Sequence, residues 1–179
     1  MLSTLLAQRV FGTRPITLTG YSLGSLVIFE ALKHLAALPP SQSAHLVQDV
    51  FLYGLPAPAE ARSWTAIRRV VAGRLVNGYC EQDYILAVLS RTSDASWNIA
   101  GLGPVSVKGV ENQACEGVEG HLKWRGHIGS CLQTCNAPGV VKSEVEKQEA
   151  VVAKRIDEEM EKGEQETDRI MQQGHEVKG

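Results

Sequence analysis

The sequence has no long hydrophobic run. Its longest apolar stretch, Leu23 to Leu32, is interrupted by Ser25 and Glu30, well short of the ~18 residues a helix needs to cross a bilayer. An excess of charge of one sign is missing too. With 18 Lys and Arg against 20 Asp and Glu the formal net charge is -2, which gives no electrostatic case for nucleic acid or an anionic membrane as partner. Met1 to Val10 carries neither a basic stretch nor a small-residue cleavage site, so it does not read as a signal peptide. Cys80, Cys115, Cys131 and Cys135 form no CxxC pair and read as reduced, mostly buried thiols. A zinc site on His127, Cys131 and Cys135, with His121 close by in sequence, is the alternative. The first three lie four apart on one helix face, and ligands spread over two turns of a single helix do not converge on one tetrahedral ion. No metal is expected, and the chain reads as soluble and facing the cell interior.

What is present is an ordinary globular composition. The 179 residues are 44% hydrophobic and 21% charged, enough for one domain with a real core. Leu2 to Val10 has the character of a helix, stopped at Gly12. Ile16-Thr17-Leu18-Thr19 then reads as a short buried strand, and residues 25–37 have helical spacing ended by Pro39 and Pro40. The alternation repeats. Val47 to Tyr53 is a second strand, 60–72 a helix and Arg74 to Tyr79 a third strand. Tyr84 to Leu89 is a short helix, Val110 to Cys115 a weaker fourth strand, and Leu122 to Leu132 a further helix. Strands alternating with helices at this spacing predict a parallel sheet covered on both faces. These elements occupy residues 1–137.

From Asn136 to Gly139 the composition changes, and within the tail, 138–179, residues 142–173 are dominated by Glu, Lys, Gln, Asp and Arg. Val141, Val145, Val152, Ile156 and Met160 make a thin apolar stripe that breaks at Gly163. Such a seam is too poor in Leu and Ile to sustain a coiled coil. A charged helical or disordered tail is therefore expected, with helix-mediated protein contact as the alternative.

Gly20-Tyr21-Ser22-Leu23-Gly24 fits the G-x-S-x-G nucleophile elbow, here between an apolar strand and an amphipathic helix. The spacing has a physical reason. A tight, strained turn lifts a serine hydroxyl clear of the sheet, and the glycines on either side are expected to remove Cβ atoms that would collide. The backbone N–H of Leu23 would then face a developing oxyanion at the helix N-terminus. An acid and a base should follow from loops after later strands, in the order Ser, Asp or Glu, His. Asp83, just past the third strand, fits the acid, with Glu81 as fallback; capping the helix that follows is its alternative role. His121, after the last strand and at the mouth of a helix, fits the base. His127 lies inside that helix, and His34 and His45 precede the acid.

Several stretches together resemble one known family. They are Arg14-Pro15-Ile16-Thr17-Leu18-Thr19-Gly20-Tyr21-Ser22-Leu23-Gly24, Leu52-Tyr53-Gly54-Leu55-Pro56-Ala57-Pro58, and Val71-Ala72-Gly73-Arg74-Leu75-Val76-Asn77-Gly78-Tyr79. Asp83-Tyr84-Ile85-Leu86, Ala100-Gly101-Leu102-Gly103-Pro104-Val105, Val110-Glu111-Asn112 and Gly120-His121-Leu122 complete them. The chain resembles the eukaryotic family, well represented in fungi, of transmembrane and coiled-coil domain-containing proteins with a hydrolase-like domain of unknown function. The resemblance covers roughly residues 2–135 and implies the C-terminal half of an α/β-hydrolase fold. Together with the elements read above, this gives about four mostly parallel strands flanked by helices, plus a charged C-terminal helix. It further implies an endomembrane setting, with membrane association through upstream segments, and a lipase- or esterase-like activity. Ser22, Asp83 and His121 fall on the family's expected triad positions. Relatives carry transmembrane segments and the first strands of the sheet before this point, including the loop that supplies a second oxyanion donor. The expected partner is an ester or lipid-like small molecule, no organic cofactor is needed, and the competing reading is a non-catalytic trafficking or scaffold module.

Overall fold

The computed structural model describes residues 1–91, 98–115, 117–118, 121–155 and 158. Four strands, β1 (Ile16–Tyr21), β2 (Val47–Tyr53), β3 (Leu75–Tyr79) and β4 (Val110–Ala114), form one sheet in the order β1-β2-β3-β4. Each pairs in parallel with the next. The helices are α1 (Leu2–Ala7), α2 (Leu23–Ala37), α3 (Pro40–Ser43), α4 (Ala61–Arg68), α5 (Tyr84–Arg91), α6 (Trp124–Thr134) and α7, over 142–155. The expected α/β architecture, a parallel sheet flanked by helices, is therefore what the chain adopts.

The central strands show why. In β2 the residues Val50, Phe51, Leu52 and Tyr53 are all buried, as a parallel strand covered on both sides requires. Val50 and Leu52 join Leu75 in a core with Leu6, Phe29, Leu32 and Leu35 from α1 and α2, and Trp64 and Ile67 from α4. Phe51, Tyr53 and Val76 point the other way, into a second core with Trp124 and Cys131 of α6. The two cores are the two faces of one sheet.

The first strand, expected to be buried, is half-exposed, because β1 lies at the sheet edge with a neighbour on one side only. The other differences from the sequence reading lie at element ends. The first helix stops at Ala7 and the second begins at Leu23, directly on the elbow. α4 ends at Arg68 rather than continuing to 72. There Arg68 Nη1 donates to the Val71 carbonyl at 2.5 Å, while Val71 bridges to Val47. The proline pair ends α2 and also opens the short α3, with Pro40 at its start. A proline at a first helical position loses no hydrogen bond. α6 begins at Trp124, after a 3-10 turn over His121–Lys123.

The first part of the charged tail is helical. α7 lies against α6 where Gly126 and Gly129 leave room. A Cβ at Gly126 would stand 2.9 Å from Val152 Cγ1, and one at Gly129 the same distance from Val145 Cγ1. Two positions of the thin stripe thus pack, and Val145 is buried; Ile156, Met160 and Gly163 lie outside the described residues. Among the described residues no helix is long and apolar enough to cross a membrane.

Candidate active site

The site forms at the C-terminal ends of the strands, where ligands of open α/β sheets bind. Ser22 follows β1 directly and is the N-cap of α2, with φ 51° and ψ -127°. A non-glycine residue there stores roughly 1–3 kcal/mol of strain and persists only when its surroundings fix it. They do so through the main chain. The Ser22 N–H donates to the Tyr53 carbonyl (2.9 Å), and the Ser22 carbonyl accepts from Leu26 N–H (3.1 Å) and Ser25 Oγ (2.5 Å). The Ser22 hydroxyl takes no part in that clamp.

Gly20 behaves as the motif predicts. A Cβ there would stand 2.8 Å from Gly24 C, Ser25 N and Ile28 Cδ1, so the helix start can close over the strand only above a glycine. Gly24 does not: a Cβ there would meet nothing within 4 Å. The expectation that both glycines relieve a collision holds for Gly20 alone, because the position at 24 opens outward. Tyr21 is partly exposed, and Leu23, which opens α2, is 70% exposed. Leu23 N–H thus belongs to a helical first turn, whose N–H groups have no partner within the helix.

Asp83 follows β3 and is fully buried. Its Oδ1 accepts from Leu86 N–H at 3.0 Å, capping α5, while its Oδ2 lies 2.8 Å from His121 Nδ1. The two roles weighed for this carboxylate, helix cap and partner of the histidine, fall one on each oxygen. His121 lies in the 3-10 turn after β4, with its side chain 15% exposed, and its Nε2 stands 2.5 Å from Ser22 Oγ. The structure therefore brings Ser22, His121 and Asp83 into one line of hydrogen bonds. Glu81 is exposed. His34 lies on α2 beside the α1 helix, His45 near Arg69, and His127 inside α6.

One residue of the site has no counterpart in the sequence reading. Trp124 Nε1 donates to Asp83 Oδ2 at 2.9 Å, the same oxygen that faces His121. The signal was present as spacing, since a tryptophan three residues after a candidate base shares its helical face. The indole is fully buried, and Gly54, at φ 53°, makes room for it: a Cβ there would stand 2.7 Å from Nε1.

The cysteines lie beside this arrangement. Burial pushes the Cys80 thiol up, and its Sγ donates to the Val118 carbonyl at 3.1 Å. Cys131 close by and burial push the Cys115 thiol up, and its Sγ donates to the Gln113 carbonyl at 3.7 Å. Burial, with Cys135 close by, pushes the Tyr53 phenol up. Among the described residues, no three His, Cys, Asp or Glu side chains gather as a metal set.

The profile of a family described as protein of unknown function DUF726 matches residues 1–137. An uncharacterized membrane protein of Caenorhabditis elegans is 40% identical over 143 residues, which is 78% of this chain and 22% of the worm protein. A rice protein named transmembrane and coiled-coil domain-containing protein STS1 is 43% identical, covering 69% of this chain and 19% of its own length. A Saccharomyces cerevisiae protein named probable lipase MIL1 is 37% identical over 74% of this chain and 12% of its own length. The chain thus spans about a fifth or less of the length of these relatives. No solved structure matches it. On the family match over residues 1–137 and these relatives, the chain belongs to the eukaryotic DUF726 family, which includes transmembrane and coiled-coil domain-containing proteins.

Proposed function

We propose that this chain carries the reacting residues of a serine hydrolase that cleaves an ester, lipid-like in its acyl part, by acyl transfer. The observation that supports the reading best is the hydrogen-bonded line Ser22 Oγ–His121 Nε2–His121 Nδ1–Asp83 Oδ2, with the serine on a strained turn. Strain at a serine whose main chain is fixed and whose hydroxyl faces an imidazole fits an activated nucleophile.

In this mechanism Ser22 Oγ attacks the ester carbonyl carbon while His121 Nε2 takes the hydroxyl proton. The carbonyl π electrons move to oxygen, and the oxyanion is held by Leu23 N–H and the first turn of α2. On collapse the carbon–alkoxy bond breaks, and His121 gives its proton to the departing alkoxide. Water then attacks the acyl-serine, His121 again taking and returning the proton, which frees the carboxylic acid and Ser22. Asp83 holds the imidazole in the tautomer this requires. No organic cofactor or metal enters the balance.

Two observations support a lipid-like substrate. A relative is named as a probable lipase, and apolar side chains adjoin the reacting residues in sequence: Leu23 beside Ser22, and Tyr84, Ile85 and Val88 after Asp83, all exposed. Membrane association through regions upstream, as in relatives named membrane proteins, would bring such a substrate within reach. The second oxyanion donor is assigned to those same regions.

The test is labelling with a fluorophosphonate probe. The chain would be compared with a version extended by the upstream region of its longer relatives, each beside its Ser22→Ala variant. The extended protein is expected to label at Ser22 and the alanine variant not at all. Asp83→Asn should slow labelling by about 10⁴-fold, the scale known for the comparable exchange in serine proteases. A folded, extended protein that does not label would overturn the enzyme reading in favour of a scaffold that keeps the fold for protein contacts.

A further inference from the structure

The Asp83 carboxylate is fully buried and receives three hydrogen bonds: Leu86 N–H on Oδ1, and His121 Nδ1 and Trp124 Nε1 on Oδ2. A carboxylate turns about its Cβ–Cγ bond as one rigid plane, and a single main-chain donor on Oδ1 opposes that rotation with only one hydrogen bond. Trp124 is placed to remove that freedom. Its indole is wholly buried, with the ring centroid 5.9 Å from that of Tyr53, and it lies where only a glycine at 54 leaves space. We infer that Trp124 is a positioning residue for the proposed hydrolysis, fixing the Asp83 carboxylate so that Oδ2 meets His121 Nδ1. This rests on the reading of Ser22, His121 and Asp83 given above.

The chemistry of the indole suits the task. Its N–H donates and never accepts, and it does not titrate in the range where proteins work. It therefore stabilises the carboxylate without competing for the proton that His121 carries. A hydroxyl or an amide in its place could turn round and present a lone pair. The arrangement also couples two motions into one. His121 opens the 3-10 turn and Trp124, three residues on, opens the helix that follows it, so the segment that delivers the base also delivers the group that orients its acid. A displacement of that segment would withdraw both from Asp83 together.

The experiment joins a spectroscopic arm to a kinetic one, on the chain and on its upstream-extended version. With isotope-labelled tryptophan, Asp83→Asn should move the Trp124 indole proton resonance. It should leave that of Trp64, which donates to the Pro58 carbonyl at 3.1 Å, in place. Trp124→Phe keeps an aromatic body and removes the donor, and should move the His121 Nδ1 proton resonance. In the kinetic arm Trp124→Phe should slow Ser22 labelling at saturating probe by ~10–100-fold, the worth of one hydrogen bond to a charged group. The probe concentration for half-saturation should stay unchanged. Added to Asp83→Asn it should have no further effect, because a residue acting only through Asp83 has nothing left to act on.

An unmoved His121 resonance in a folded Trp124→Phe protein overturns the inference. So does a slowing that adds in full to that of Asp83→Asn, which would make the indole packing alone. Should Trp124→Phe fail to fold, the Trp124 resonance in Asp83→Asn decides by itself. Absence of labelling in the unmutated protein would remove the hydrolase reading, while the resonances would still report whether the indole holds the carboxylate.

Discussion

A serine at φ 51° between a strand and a helix is held there by main-chain hydrogen bonds on both sides and by the absence of a side chain at Gly20. That asymmetry gives a sharp prediction. Gly20→Ala sets a Cβ against main-chain atoms 2.8 Å away, which cannot move without reopening the elbow. It should cost ~1–3 kcal/mol in thermal or denaturant unfolding and should remove probe labelling. Gly24→Ala puts its methyl into open space, inside a helix where alanine is favoured over glycine by about 1 kcal/mol. It should leave stability level or slightly raised and should keep labelling. Equal damage at both positions, measured side by side, would show that the clamp is not what fixes Ser22. That Ser22, Asp83 and His121 would come together was legible in the sequence, because each follows a strand of one parallel sheet. The different duties of Gly20 and Gly24 were not, since a motif records residue types and not the direction each Cβ would take. Trp124 escaped for a related reason: its spacing from His121 puts it beside the base, but its hydrogen bond goes to a residue 41 positions earlier.

At the scale of elements, the strands were easier to read than the helix ends. A parallel strand buried on both faces writes itself as a continuous apolar run, as in Val50 to Tyr53. Helix ends answer to distant partners. α4 stops where Val71 leaves to bridge Val47, and nothing local to 60–72 announces that. Arg74, just before β3, shows how such long-range contacts tie elements. Its N–H donates to Asp49 Oδ1 after β2's start, its guanidinium reaches Glu111 in β4 at 2.7 Å, and its Nη1 reaches the Cys135 carbonyl at the end of α6 at 2.8 Å. The hydrogen bond from Arg74 holds the Glu111 carboxyl below its ordinary value of 4.5. Its contribution to stability is therefore complete above that value and is lost as pH falls through the lowered one. Both side chains are partly exposed, at 31% and 49%, and solvent screening keeps the effect under about 1 kcal/mol. Glu111→Gln should accordingly melt slightly below the unmutated protein at neutral pH, and the gap should close on acidification. A gap that widened in acid would contradict the pairing.

At the scale of the whole molecule the elbow strand, β1, is an edge, as expected of a chain whose longer relatives carry further strands before it. None of its residues is fully buried. The N–H groups of Ile16 and Ser22 go to Leu46 and Tyr53 on the β2 side. Because successive N–H groups of a strand alternate in direction, those of Thr17, Thr19 and Tyr21 face away from β2. Such an edge is a template for another strand, and the relatives are several times longer than this chain. Hydrogen exchange measures the consequence directly. In the chain alone the amides of Thr17, Thr19 and Tyr21 should exchange quickly, while those of Val50 to Leu52 in β2, inside the sheet, should be protected. In a version carrying the upstream region of its relatives, the three β1 amides should become protected as well, and Ser22 should gain rigidity and its second oxyanion donor from the same segment. Labelling by the probe should then rise with the protection of β1, by about 10²–10³-fold if that donor is what the chain alone lacks. Protection of β1 already present in the chain alone, and growing with its concentration, would mean instead that two copies pair edge to edge. The elbow would then be held by a neighbouring copy rather than by a strand of the added upstream region.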